Sequence, residues 1–215
     1  MDEEAREISE KIHEGPYRDC FELHSHVAVR PTDLQRLLLR YRPHIVHFSG
    51  HGNKRERIIL SGPNGQGKTI DQQGFANVLA LYNSHVRLVL LNACFTKAQA
   101  RFISEVVNYS IGTTQAIGDK VGVAFAGAFY RALGFGKSVK DAFESARAEL
   151  RLTKMPRSRG IELFIRNGVG ENDSFPRVEK HRSRRCRAID TNLVLKAETR
   201  FECRFTVLRT TQQAV

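Results

Sequence analysis

This chain is short of the residues that usually announce a class. It has no tryptophan, and its four cysteines, Cys20, Cys94, Cys186 and Cys203, are scattered with no CxxC pair among them. That spacing indicates neither a zinc ribbon nor a disulfide scaffold, so four free thiols are expected. Long hydrophobic runs are missing too. Nothing approaches the roughly 18 apolar residues that span a bilayer, and no membrane partner is expected. The opening Met1-Asp2-Glu3-Glu4 is acidic, the opposite of a signal peptide, so a cytoplasmic location is the default expectation. No internal repeat marks a solenoid or propeller.

Charge of one sign is in excess rather than lacking. The formal net charge is +11 and the pI near 9.9, which suits an anionic partner. The excess is spread along the chain, with one concentration at Arg182-Ser183-Arg184-Arg185-Cys186-Arg187. That cluster has no interleaved aromatics and fits no nucleic-acid-reading motif, so a solvated tail explains it better than a nucleic-acid partner.

Hydrophobic periodicity supplies the architecture. Residues 2–14 read as a charged amphipathic helix ended by Gly15-Pro16, and Phe21, Leu23, Val27 and Val29 as a strand. Pro31-Thr32-Asp33 opens a helix whose Leu34, Leu37, Leu38 and Tyr41 share a face, with Leu39 also read as covering the sheet. Strands follow at Ile45 to Phe48 and Arg57 to Leu60, then a Gly-rich turn, and a helix capped by Asp71 running to about Tyr82. The run from Val86 to Leu91 is continuously apolar, as in a parallel strand covered on both faces. A helix from about Lys97 to Val107, a strand at Tyr109 to Gly112, and two helices between Gly118 and Leu152 continue the alternation. Phe125, Phe129, Tyr130 and Leu133 read as core packing. The class is α/β. Residues 1–168 form the domain, and 169–215 a basic tail, either a hairpin using Leu193 to Leu195 and Phe205 to Leu208 or partly disordered.

Two of these strands stop at reactive side chains. One ends His47-Phe48-Ser49-Gly50-His51-Gly52 and the other Leu91-Asn92-Ala93-Cys94. In an open α/β sheet both would deliver their side chains to the carboxyl edge, where ligands bind. A buried core thiol is the commonest fate of a free cysteine. A histidine beside it supplies a base and a stabilising cation, which makes the thiol a nucleophile. A Cys-His hydrolase is the simplest reading.

Three rival motifs carry less. Gly62-Pro63-Asn64-Gly65-Gln66-Gly67-Lys68-Thr69 matches the phosphate-loop pattern, with Lys68 and Thr69 in the phosphate and magnesium positions. The neighbouring apolar strand ends in Asn92-Ala93-Cys94 instead of a magnesium-supporting acid, and Pro63 removes one amide from the cradle. No nucleotide cofactor is expected. His44, His47 and His51 suggest a metal site, but strand alternation sends His44 and His47 to opposite faces, so no metal is expected. A cofactor box at Phe125, Phe129 and Tyr130 yields to core packing.

The same blocks resemble the CHAT domain, a caspase-like group of cysteine peptidases related to separases. The resemblance runs from about Asp2 to Gly168. Besides the two strand ends it includes Tyr17-Arg18-Asp19, Arg30-Pro31-Thr32-Asp33-Leu34, Ile111-Gly112-Thr113, Ala116-Ile117-Gly118-Asp119, Phe125-Ala126-Gly127-Ala128-Phe129-Tyr130, Ala132-Leu133-Gly134 and Ser138-Val139. It implies a caspase-like, mostly parallel sheet flanked by helices. It also implies a protein substrate, an activating partner protein, His51 as general base and Cys94 as nucleophile. The Gly52 and Cys94 N–H groups are then the candidate oxyanion hole, and Asp119 a candidate for orienting a basic substrate residue. CHAT domains usually begin with a short apolar strand lying centrally in the sheet, whereas here the first element is the helix. The sheet is therefore expected to lack its usual first strand, leaving the His51 strand short of a neighbour unless Leu193 to Leu195 fills the gap. From that lack follows a competing expectation of an inactive, truncated CHAT domain acting as a protein-interaction module.

Overall fold

The computed structural model describes residues 3–53, 57–64, 66–156, 158–170 and 203–209. Helix α1 (Glu3–His13) opens on Glu3 and Glu4 and closes on Lys11 and His13, charges that suit its dipole. Its buried side carries Ala5, Ile8 and Ile12, with Glu4 beside them. Strand β1 (Phe21–His26) is half-buried throughout. Helix α2 (Pro31–Tyr41) starts at a proline that cannot continue a strand ladder, and the Asp33 carboxylate accepts from the Arg30 N–H at 3.1 Å. Its Leu34, Leu37 and Leu38 are buried, whereas Leu39 is 64% exposed. Helical spacing turns position 39 away from the sheet.

Strand β2 (Ile45–Ser49) is buried along its whole length. After it, β3 (Gly52–Asn53), β4 (Arg57–Ser61) and β5 (Gly67–Thr69) form a small antiparallel sheet. Helix α3 (Gln72–Ala80) begins as expected at Asp71, whose carboxylate accepts from Gly74 N–H at 2.8 Å. Next come β6 (Leu88–Asn92), α4 (Lys97–Ile103), β7 (Tyr109–Thr113), α5 (Asp119–Gly134), α6 (Val139–Leu152), β8 (Ile161–Ile165) and β9 (Cys203–Arg209).

The main sheet has six strands in the order β1-β9-β2-β6-β7-β8. All neighbours are parallel except β7 and β8. Helices α1, α5 and α6 cover one face and α2, α3 and α4 the other. Strand alternation divides the side chains between the two cores. Ile45, Cys203, Phe205 and Val207 join the first, and Val46, Phe48 and Leu208 the second. This is the mixed α/β, mostly parallel caspase-like sheet that the sequence indicates.

The strands differ from the sequence reading in several places, beginning with the short β3 and β5, which were not anticipated. The edge strand β8 was not anticipated either. More consequentially, residues 203–209, read as part of a tail outside the domain, lie inside the sheet between β1 and β2. Phe205 is in register with both Leu23 and Ile45. The His51 strand therefore has neighbours on both sides, and the position expected to stand empty is filled. The strand earns its place by burial: Cys203, Phe205, Val207 and Leu208 are at most 1% exposed, and Phe205 stacks on Tyr130 with ring centroids 5.3 Å apart. The proposed filler, Leu193 to Leu195, lies outside the described residues. Among the described residues, no helix is long and apolar enough to cross a membrane.

Candidate active site

His51 and Cys94 arrive at one place because β2 and β6 are adjacent, parallel and in register. Ser49 faces Asn92 at the end of the ladder, and each reactive residue follows two positions later. The Gly50 N–H donates to the Asn92 carbonyl at 3.3 Å, and the His51 carbonyl accepts from Ile59 N–H at 3.0 Å. The small sheet thus pins the histidine's backbone from above. Gly52 has no room for a side chain: a Cβ there would lie 1.8 Å from the Cys94 carbonyl oxygen. Only glycine lets the two turns close on each other.

The Cys94 turn is tight. Phe95, the next residue, has φ of 56°, a left-handed conformation that aromatic residues seldom adopt. Two threonines hold the turn from beneath. Thr96 Oγ1 donates to the Ala93 carbonyl at 3.1 Å, Thr113 Oγ1 donates to the same carbonyl at 2.5 Å, and Thr113 N–H donates to Thr96 Oγ1 at 3.0 Å. Cys94 Sγ itself donates to the Ile117 carbonyl at 3.7 Å.

His51 and Cys94 open onto one cleft of about 320 Å³. His51 is exposed and Cys94 half-buried. Asp119 is exposed on the same cleft, in the first turn of α5, where a carboxylate also suits the helix dipole. Glu3 and Arg209 add one charge of each sign, and Arg209 Nε donates to Ser49 Oγ at 3.3 Å.

Beneath the cleft lies a buried polar cluster that sequence reasoning missed. Glu4 and His47 are 3% and 0% exposed, with His47 Nε2 3.1 Å from Glu4 Oε1 and His47 Nδ1 3.1 Å from the Tyr130 hydroxyl. A carboxylate only accepts, so Nε2 carries a proton. The Ser49 hydroxyl and the Asn92 amide also donate to Glu4. Burial alone would raise the Glu4 carboxyl; the His47 charge and the hydrogen bonds from His47, Ser49 and Asn92 outweigh it and hold the group down at about 2. Burial, with the Glu4 charge, pushes the Tyr130 phenol well up. Room for the Asn92 side chain comes from Gly122, where a Cβ would sit 2.5 Å from Asn92 Oδ1. One signal was available: Glu4, Ile8 and Ile12 recur every four residues, placing an acid on the apolar stripe of a helix.

The rival motifs resolve differently. Lys68 and Thr69 lie in extended β5, exposed and paired in register with Leu60 and Ile59. A phosphate loop would place them at a helix N-terminus, and α3 begins only at Gln72. His47 belongs to the Glu4 cluster, and His44 Nδ1 accepts from Arg204 N–H at 3.0 Å. Cys94 and Cys203 are free thiols, but Cys20 is disulfide-bonded, contrary to the expectation of four free thiols.

A mostly parallel sheet sandwiched by helices, with a histidine and a cysteine ending neighbouring strands over a shared cleft, defines a caspase-like α/β domain. Comparison with known families narrows this: the CHAT domain profile matches residues 1–187. The chain belongs to the CHAT domain family. Among curated relatives, a Roc-COR-CHAT protease from an unidentified prokaryote is 27% identical over 135 residues, 60% of this chain and 13% of that protein. A probable protease of Gillisia limnaea is 22% identical over 150 residues, 68% of this chain and 26% of the relative. This chain thus matches about a quarter or less of the length of these relatives.

Proposed function

We propose that this CHAT domain is a cysteine endopeptidase acting on a protein substrate. The observation that carries the reading is that His51 and Cys94 line one cleft at the carboxyl edge of the sheet. The names of the two relatives, both proteases, support the same activity.

In this mechanism His51 takes the Cys94 thiol proton and the thiolate attacks the scissile carbonyl. The oxyanion that forms is held by the N–H groups of Gly52 and Cys94. His51 then protonates the leaving amine, and an acyl-enzyme remains on Sγ. Water, deprotonated by His51, releases the acid and restores the thiol. Asp119 is positioned at the cleft to orient a basic side chain of the substrate. An activating partner protein belongs to the proposal as part of what the CHAT resemblance implies.

The competing reading, an inactive interaction module, rests on an unfilled position beside the His51 strand and on the absence of a fused sensor in this stretch of sequence. Strand β9 fills that position, which takes away the first of these supports. The first test needs no substrate. Alkylation of each cysteine is followed by mass spectrometry at neutral pH, in the wild type and in His51→Ala. The peptidase reading expects Cys94 to react faster than an unstructured thiol and to slow in His51→Ala, while buried Cys203 stays inert. A Cys94 that reacts no faster than Cys203 sinks the reading.

A further inference from the structure

The two cleft residues share an underpinning. Ser49 precedes His51 by two positions, Asn92 precedes Cys94 by two, and both side chains donate to the same carboxylate, that of Glu4. A third donor, His47 Nε2, meets that carboxylate at 3.1 Å. Beyond Ser49, the chain of contacts runs on to Arg209 of β9 at 3.3 Å. One group on α1 therefore joins the ends of three adjacent strands.

An acid is a costly choice for this position. Glu4 is 3% exposed on a helix stripe that otherwise holds Ala5, Ile8 and Ile12. Burying a carboxylate and a histidine together seldom stabilises a fold more than apolar packing would. What the carboxylate provides is geometry. Its two oxygens accept from three donors that come from two strands, so the separation of those strand ends is fixed by hydrogen-bond lengths instead of looser apolar contact. A glutamine would replace one acceptor with a donor and leave an N–H or O–H facing it unmatched.

We propose that Glu4 is a positioning residue whose carboxylate, shared by Ser49 and Asn92, sets the relative placement of the two strand ends that carry His51 and Cys94. The chemical consequence rests on the peptidase reading above, whereas the geometric claim does not.

The test uses the whole chain with Glu4→Gln, and with Asn92→Ala as a second lesion of the same contact. Hydrogen exchange is followed in the peptides covering residues 49–52 and 92–95, with an α3 peptide covering 73–80, on the opposite face of the sheet from Glu4, as internal reference. The expected result is exchange faster by about tenfold at both strand ends, the size of one lost charge-assisted hydrogen bond, with the α3 peptide unchanged. In parallel, the second-order rate of iodoacetamide reaction at Cys94 is measured in wild type, Glu4→Gln, His51→Ala and the double variant. Glu4→Gln is expected to slow the reaction about tenfold with His51 present and not at all in His51→Ala, because positioning acts only through the pair. Equal slowing in both backgrounds, or unchanged exchange at the strand ends, overturns the proposal. If His51→Ala alone leaves Cys94 reactivity unaltered, the peptidase reading falls and the exchange arm still decides this one. If Glu4→Gln does not fold, Asn92→Ala decides both arms.

Discussion

The two sides of the cleft are held by different means. On the cysteine side, Thr96 from the same turn and Thr113 from the neighbouring strand β7 bind the turn carbonyl through neutral hydroxyls. On the histidine side, the strand is held by an ionised cluster centred on Glu4 and by β9, which arrives from the far end of the chain. The threonine hydroxyls carry no titratable group, and the cysteine side meets the ionised cluster through one contact, Asn92 to Glu4. The histidine side is assembled from distant segments and depends on protonation. The histidine side should therefore fail first, whether the insult is a core mutation or acid.

The largest expected effect comes from breaking β9. Phe205 is fully buried, stacked on Tyr130 and edge-on to Phe21. Phe205→Ala should lower stability by about 3–5 kcal/mol, read as a fall in the urea midpoint with unchanged m-value. An ordinary surface-sized change would mean that β9 is not integral to the sheet.

Acid should separate the two sides next. The folded Glu4 carboxyl lies at about 2, below the usual 4.5. Its stabilisation is thus complete above the unfolded value and is lost as pH falls toward about 2, amounting to roughly 3 kcal/mol. His44 adds an earlier step. Burial, reinforced by the charges of Arg87, His85 and Arg204, lowers it from 6.5 to about 4. The unfolded chain therefore takes up its proton first, and stability declines between those two values. Glu4→Gln should flatten the lower step and His44→Gln the upper one in urea unfolding measured across a pH series. A curve identical to wild type in both variants would break the comparison.

Thr113→Val sharpens the contrast from the other side. It keeps the shape but removes the hydroxyl that donates to the Ala93 carbonyl and accepts from Thr96 N–H. We expect a loss of about 1–3 kcal/mol, with a pH dependence parallel to wild type. The smallest effect belongs to Lys68→Ala. Lys68 is exposed on β5, so stability should change by under about 0.5 kcal/mol. Titration of wild type with labelled ATP and magnesium should show no saturable binding, and saturation lost in the variant would revive the phosphate-loop reading.

What could be read from sequence followed the same division. The continuous apolar run of β6 and the Gly-His-Gly end of β2 announce themselves within a few residues, as do the Asp71 cap and the apolar face of α2. Strand β9 could not be placed, because its alternation describes a strand without naming its neighbours. Pairing with β1 and β2 is decided by which sheet position can bury Phe205 and Val207. Lys68 and Thr69 match a pattern in which the chemistry belongs to backbone amides at a helix start, and here that backbone is extended. Glu4 was legible in principle, as a charge on the stripe of Ile8 and Ile12, but its partners His47, Ser49 and Asn92 come from strands that only the folded sheet brings together. The Cys20 disulfide was hidden for a related reason, since sequence spacing does not report distance in space.

Strand β9 also governs when the molecule can be finished. Its neighbours β1 and β2 are made early on the ribosome, yet they do not pair with each other and must wait, edges unsatisfied, for residues 203–209 to emerge. Long-range parallel pairing of this kind is slow and leaves sheet edges open to other chains. Strand β2 can pair with β6 and with the small sheet beforehand, so what waits for residues 203–209 is the other flank of that strand, and a nascent chain carries its thiol well before the sheet beside His51 is closed.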